Sequence, residues 1–178
     1  MSGLRYLIDR IKIPPGPSYN LCYQKLEKLV MGLGDSARVL DLGSGGRVLR
    51  KGAVSLDISP QEGVNIVADG HRLPFPDESF DLIVCTALLE HVKGPEAVIE
   101  EIHRCCKKGA TVYVEVPFLQ SYHGAPGDYY RYTLHGLVEA FRSFEKLEAG
   151  VCCGPASALA MFLATFPYTL FSLPSFVS

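Results

Sequence analysis

Short apolar runs that stop abruptly set the rhythm of this chain: RVLDL (38–42), AVSLDI (53–58), VNIVAD (64–69), DLIVCT (81–86) and TVYVEV (111–116). Runs of this length, without polar alternation and bounded by turn residues, predict strands of a parallel sheet buried on both faces. A helical period takes over elsewhere. Cys22, Leu26, Leu29, Val30 and Leu33 recur at that spacing after an IPPGPS turn, so a first helix is predicted from about Asn20. Between the last two runs, Gly94-Pro95 opens a second helix with Val98, Ile102 and Cys105 as its inner stripe, and Lys107-Lys108-Gly109 closes it. A third begins at Thr133, whose hydroxyl caps it, with Leu134, Leu137, Val138 and Phe141 as its apolar face. FEKLEAGVC (144–152) reads as a sixth strand. Strands alternating with helices predict an open α/β sheet. With no repeat and no long linker, residues 1–178 read as one domain: a helical lead-in (1–36), a core (37–152) and an apolar tail (153–178).

Composition narrows the possibilities. With 178 residues, 48% hydrophobic, and a formal net charge of -2, the chain is long enough for a proper core and carries no field for gripping nucleic acid. Six cysteines include the adjacent pairs Cys105-Cys106 and Cys152-Cys153 but no Cys-x-x-Cys spacing, so no metal site is expected from them. Without a secretory signal they read as reduced thiols of a cytoplasmic protein.

The polar residues that end the apolar runs carry the chemistry. Asp41, Asp57 and Asp69 lie at the ends of three successive strands, where an open parallel sheet binds ligands. Beside Asp41 stands the turn DLGSGGRVL (41–49). A dinucleotide fingerprint needs a third glycine where this chain has Val48, and a phosphate loop needs Gly-Lys-Ser/Thr, which is absent. Asp41 would also repel a pyrophosphate, which disfavours a nicotinamide dehydrogenase, and would suit an ammonium or sulfonium. Asp57 suits both ribose hydroxyls. Asp69 suits an adenine amino group, with the Gly70 or His71 amide answering a ring nitrogen. A nucleoside carrying an amino acid and no phosphate fits this set, and S-adenosylmethionine is such a molecule.

DLGSGG (41–46), SLDIS (55–59), ADGHRLPFPDESFDLIVCTALLEHV (68–92) and EIHRCCKKGATVYVEVP (101–117) resemble the class I S-adenosylmethionine-dependent methyltransferases, in particular the branch of ubiquinone- and menaquinone-type and natural-product or cell-envelope enzymes. The resemblance runs over residues 38–142. It implies a Rossmann-like, mostly parallel sheet with helices on both faces, and methyl transfer from S-adenosylmethionine to a small-molecule acceptor. Asp41, Gly43, Ser44 and Gly45 would then hold the methionine part, Asp57 the ribose, Ile58 the adenine face, Asp69 and Gly70 the adenine edge, and Thr86 the methionine side. Two departures stand out. Arg47 occupies the place of a third glycine, and RVLRKG (47–52) leaves room for one helical turn at most before the second strand. The short segment, together with a closing strand that has no evident place, keeps open the alternative of a silent cofactor-binding or scaffold module.

The acceptor side follows the fourth and fifth strands. Glu90-His91 leaves the fourth, and SYHGAPGDYYRYT (121–133) follows the fifth, with similar stretches in the resembling branch. His91, His123 and Asp128 are the candidate bases, because a positioned side chain of suitable pKa can take a proton from the acceptor. Glu90, Tyr129, Tyr130 and Arg131 are the candidate acceptor-binding residues. An ion pair between Asp128 and Arg131 is the plainer reading of that loop. Finally, no charged residue follows Glu148. Pro167 and Pro174 break the tail short of a membrane span, and Ala156–Phe166 reads as a short helix. A dimer-facing or buried helix, an acceptor-pocket wall and peripheral membrane contact are its readings, in that order. The family's closing seventh strand has no evident place.

Overall fold

The computed structural model describes residues 22–171 apart from Ala125 and Cys153. The IPPGPS turn, the start of the first helix and the end of the tail lie outside these residues. The elements in chain order are α1 (Cys22–Met31), β1 (Val39–Leu42), β2 (Val54–Asp57), β3 (Ile66–Val67), β4 (Phe80–Thr86), a 3-10 turn (Leu89–His91), α2 (Pro95–Cys105), β5 (Cys106–Glu115), α3 (Leu134–Ala140) and α4 (Pro155–Phe171). Leu26–Gly150 forms one compact unit, and α4 belongs to another.

The five strands make one parallel sheet in the order β3-β2-β1-β4-β5. β1 and β4 are mostly apolar because both faces are covered, and the polar Asp41 of β1 and Ser55 of β2 are buried with them. Leu40, Leu42, Ile83 and Cys85 face Val98, Ile102 and Cys105 of α2, with Leu137 and Phe141 at the margin. On the other face Val39, Leu82 and Val84 meet Leu26 and Val30 of α1. The chain leaves β1 toward β2 and β3, then returns across the sheet to β4 on the opposite side of β1. The switch point, where such sheets bind ligands, therefore lies between β1 and β4.

The stretch HRLPFPDESFD owes much of its character to architecture. Arg104 of α2 donates to the Leu73 and Phe75 carbonyls (3.2 and 2.8 Å) and pairs with Glu101 and Asp77 (2.7 and 2.8 Å). Glu101 in turn accepts from the Leu73 amide (2.7 Å). Phe75 and Phe80 stack edge to face, 4.8 Å apart. A loop of seven residues is thereby pinned to the helix that follows β4.

Four expectations are corrected. The second helix does not close on Lys107-Lys108-Gly109. The amides of Glu78 and Ser79 take the Arg104 and Cys105 carbonyls (3.0 and 2.8 Å), the backbone turns extended at Cys106, and Lys107 reaches Asp81 (2.7 Å) from the start of β5. VNIVAD shortens to the two residues of β3, at the sheet edge. FEKLEAGVC contributes no strand among the described residues. Phe144 packs on the core and on His103, but Leu147 and Val151 are 75% and 73% exposed, and the charges between them leave no face to bury. The tail helix extends through Pro167 instead of ending before it. No helix among the described residues is long and apolar enough to cross a membrane. The short 47–52 segment, as its length predicts, contains turns and no helix.

Candidate cofactor and acceptor site

At the switch point the backbone builds a cradle before any side chain enters it. The amides of Gly43 and Ser44 both donate to the Leu56 carbonyl (2.9 and 3.1 Å), which folds the turn back over the end of β2. Gly43 and Gly46 have φ of +70° and +81°. A Cβ on Gly46 would stand 2.4 Å from the Glu62 carbonyl oxygen, so no larger residue fits there. The Ser55 and Ser44 hydroxyls hydrogen-bond at 2.7 Å beneath the turn.

Asp41 is 1% exposed, on the same face of β1 as Val39. Burial pushes its carboxyl above the usual carboxylate range, and the Arg47 guanidinium pulls against that shift. Arg47 grips the carboxylate with two nitrogens (Nη2 to Oδ1 2.5 Å, Nε to Oδ2 3.0 Å) and reaches across to the Thr86 hydroxyl with the third (2.8 Å). One guanidinium thus bridges β1 and β4 over the crevice. Sequence reading had treated Arg47 as a missing glycine. The signal that would have found it is a buried carboxylate in need of a cation, with no helix between them to carry the chain away.

Asp57 closes the next strand. It accepts from the Gly45 amide with Oδ2 (2.9 Å) and from the Ser59 amide with Oδ1 (3.0 Å), so each oxygen keeps a lone pair for a ligand. Ile58 beside it is exposed. Asp69 accepts from the amide and Nδ1 of His71 (2.9 and 2.6 Å), while His71 Nε2 lies 2.7 Å from the Lys93 carbonyl. Those hydrogen bonds hold the Asp69 carboxyl low and the His71 imidazole high, with both ring nitrogens as donors. The His71 amide is spent on Asp69. Asp41, Asp57 and Asp69 lie at or just beyond the ends of three neighbouring parallel strands, with the Gly43–Gly45 turn between the first two and Thr86 at the end of β4. Carboxylates beside a glycine turn, with no phosphate-binding helix terminus, fit a nucleoside bearing an amino acid.

The acceptor candidates gather beyond β4 and β5. Glu90, in the 3-10 turn, is fully buried, and neither carboxylate oxygen has a hydrogen-bond partner. Its Oε1 lies 3.7 Å from Nε2 of both His91 and His123. The two imidazoles meet edge to face at 4.9 Å. Burial pushes the Glu90 carboxyl up. The Tyr129 and Tyr130 amides donate to the Glu90 carbonyl (2.7 and 3.4 Å), which seats the 121–133 loop on the turn. Asp128 and Arg131 form the ion pair that the plainer reading expected. The Asp128 carboxyl accepts two bonds from the guanidinium and a third from the His123 amide (2.9 Å), and these hold it well below the usual range. Arg131 also donates to the carbonyls of Gln120, Ser121 and Tyr130. Tyr129 and Tyr130 are exposed, with Lys93 over the Tyr129 ring at 5.4 Å. Sequence had placed Glu90 among the acceptor-binding residues. Its long-range partner His123 is 33 positions away, a separation at which no spacing rule operates.

Residues 32–114 match a family model described as a methyltransferase domain. A phosphatidylethanolamine N-methyltransferase of Cereibacter sphaeroides is 44% identical over 46 residues, 26% of this chain and 23% of that protein. A ubiquinone biosynthesis O-methyltransferase of Pseudomonas syringae pv. tomato is 32% identical over 98 residues, 43% of this chain and 42% of that one. This chain spans less than half the length of these curated relatives. The crystal structure of a SAM-dependent methyltransferase, possible histamine N-methyltransferase, from Thermotoga maritima superposes with a TM-score of 0.56 at 21% identity, covering 72% of this chain and 74% of that one, a likeness of fold.

Proposed function

We propose that this chain, whose residues 32–114 match a methyltransferase-domain model, is a class I S-adenosylmethionine-dependent methyltransferase that moves a methyl group to a small-molecule acceptor by in-line displacement. One observation carries the reading: the buried Asp41 carboxylate, with Asp57 and Asp69 beyond it, at the switch point of a parallel sheet. When bound, S-adenosylmethionine supplies an electrophilic methyl on a sulfonium, which is an excellent leaving group. The protein's task is then to hold and align, where effective concentration gives most of the acceleration.

In this reading Asp41 takes the ammonium of the methionine end, and Arg47 turns part of its fork to the carboxylate of the same zwitterion. Asp57 uses its remaining lone pairs for the ribose hydroxyls. Ile58 offers an apolar face to the adenine, while Asp69 and Gly70 meet its edge. The acceptor enters over Tyr129 and Tyr130. Its proton goes to Nε2 of His91 or His123. Asp128 is a positioning residue, since its oxygens are engaged by Arg131 and by the His123 amide. The near-neutral charge and the aromatic loop favour a hydroxyl or amine on a largely apolar molecule, and the two curated relatives above are named for phosphatidylethanolamine and for ubiquinone biosynthesis. The uncharged α4 suits peripheral contact with a membrane or a second copy of the chain.

One observation favours a second reading, a cofactor-binding module that transfers nothing: the Arg47 guanidinium already fills the Asp41 carboxylate. Turnover separates the two. With methyl-labelled S-adenosylmethionine and a panel of phenolic and amine acceptors, the enzyme reading predicts acceptor-dependent release of S-adenosylhomocysteine, which Asp57→Ala reduces at least a hundredfold. Tight cofactor binding without turnover on any member of the panel selects the silent module.

A further inference from the structure

We infer that Glu90, His91 and His123 form a binding site for one divalent transition-metal ion of the zinc, cobalt, iron or manganese class. The inference begins with an electrostatic misfit. Glu90 is 0% exposed, and both its oxygens lie without a hydrogen-bond donor. A buried carboxylate left in that state is strongly destabilising, so it calls for a partner in the functioning protein.

The imidazoles beside it do not supply that answer as hydrogen-bond donors. His91 Nδ1 meets the Gly127 carbonyl, and His123 Nδ1 meets the Ser121 carbonyl at 3.0 Å. A carbonyl only accepts, so a neutral ring at either position carries its proton on Nδ1 and keeps its lone pair on Nε2. Arg131 Nη2, 3.4 Å from His123 Nδ1, is a weaker competitor for that atom than the nearer carbonyl. Both Nε2 atoms stand 3.7 Å from Glu90 Oε1, and the three donor atoms lie within 4.8 Å of one another. With neutral rings and an ionised carboxylate, three lone pairs converge on one point. A cation satisfies all three at once.

The dimensions suit an ion. Bonds of roughly 2.0–2.2 Å in a tetrahedral or facial arrangement put ligand atoms about 3–3.5 Å apart. The two Glu90–histidine separations of 3.7 Å need to close by a few tenths of an ångström, and the two Nε2 atoms, within 4.8 Å, by up to about 1–2 Å. The carbonyls on both Nδ1 atoms are the outer partners that metal-bound histidines ordinarily have, fixing tautomer and ring orientation. The Asp128–Arg131 pair supports the same loop from behind through the His123 amide. Two imidazoles and one carboxylate select a borderline first-row ion over magnesium or calcium, and three protein ligands leave a coordination position for solvent or an acceptor oxygen. The expectation of no metal came from cysteine spacing; these ligands come from two separate loops and share no motif. With an ion bound, the two Nε2 atoms are ligands and cease to be the bases proposed above.

The test uses the full chain, freed of metal by chelator and titrated with cobalt(II). The site predicts saturation at one equivalent, with visible d–d bands of a low-coordinate nitrogen and oxygen environment. It also predicts a zinc-dependent rise in melting temperature, as any ligand of the folded state produces. His123→Ala, a change on a half-exposed loop, is expected to keep the far-ultraviolet circular dichroism and to weaken cobalt binding more than about tenfold. Glu90→Gln tests the carboxylate in the same way, and His123→Ala decides if that variant fails to fold. Absence of saturable binding in the wild type, or binding unchanged by His123→Ala, overturns the site. S-adenosylmethionine affinity measured separately on the wild type reports the methyltransferase reading, so either can fail alone.

Discussion

Arg47 is the residue on which the reading of the cofactor end turns. Its bidentate grip on the Asp41 carboxylate opposes the upward push that burial gives that carboxyl. If the guanidinium shares a zwitterion with Asp41, Arg47→Gln weakens S-adenosylmethionine binding about tenfold, the loss of one charge-assisted contact of roughly 1.5 kcal/mol. 5′-Methylthioadenosine, the same nucleoside without the amino acid, binds the variant as it binds the wild type. Calorimetry on both ligands checks this, and tighter binding of S-adenosylmethionine would show Arg47 to be a plug. At this scale the sequence was legible where residues declare themselves locally. Asp41, Asp57 and Asp69 end apolar runs, and the glycines mark their turn. The role of Arg47 was hidden because it depends on Asp41 being buried and on Thr86, 39 positions away, and the Glu90–His123 approach because it depends on the folded sheet.

Among the elements, legibility followed how local the causes are. α3 is a clear case: the Thr133 hydroxyl accepts from the Gly136 amide at 3.0 Å, as its position before an apolar stripe predicts. Thr133→Ala is expected to cost about 1 kcal/mol, seen as a lower urea midpoint at unchanged slope, with Thr133→Ser close to wild type. An unchanged midpoint for the alanine variant would mean that packing by Leu137 and Phe141 alone holds the helix. The end of α2 was misread because basic residues and a glycine usually mark a helix terminus. Here the termination is tertiary, imposed by the amides of residues 78 and 79 arriving at its last carbonyls. The supposed strand at 144–152 had apolar residues at wide intervals, and without a continuous face nothing recruits it to the edge of β5.

For the molecule as a whole, the order β3-β2-β1-β4-β5 gathers three carboxylates from separate strands onto one rim and sets the Glu90, His91 and His123 group beyond the neighbouring pair of strands. The proposed division, cofactor over β1 and β2 and acceptor over β4 and β5, is the one the resemblance implies for this strand order. Which groups meet on the acceptor side was not legible in the sequence. The central claim is that the rim at β1 and β2 binds S-adenosylmethionine through Asp57. Calorimetric titration of S-adenosylmethionine and S-adenosylhomocysteine into wild type and Asp57→Ala, with NAD as control, tests it most directly. The account predicts saturable micromolar binding of both to the wild type, at least a tenfold loss in the variant, and no binding of NAD. Absence of binding to the folded wild type, or equal binding by the variant, would contradict it.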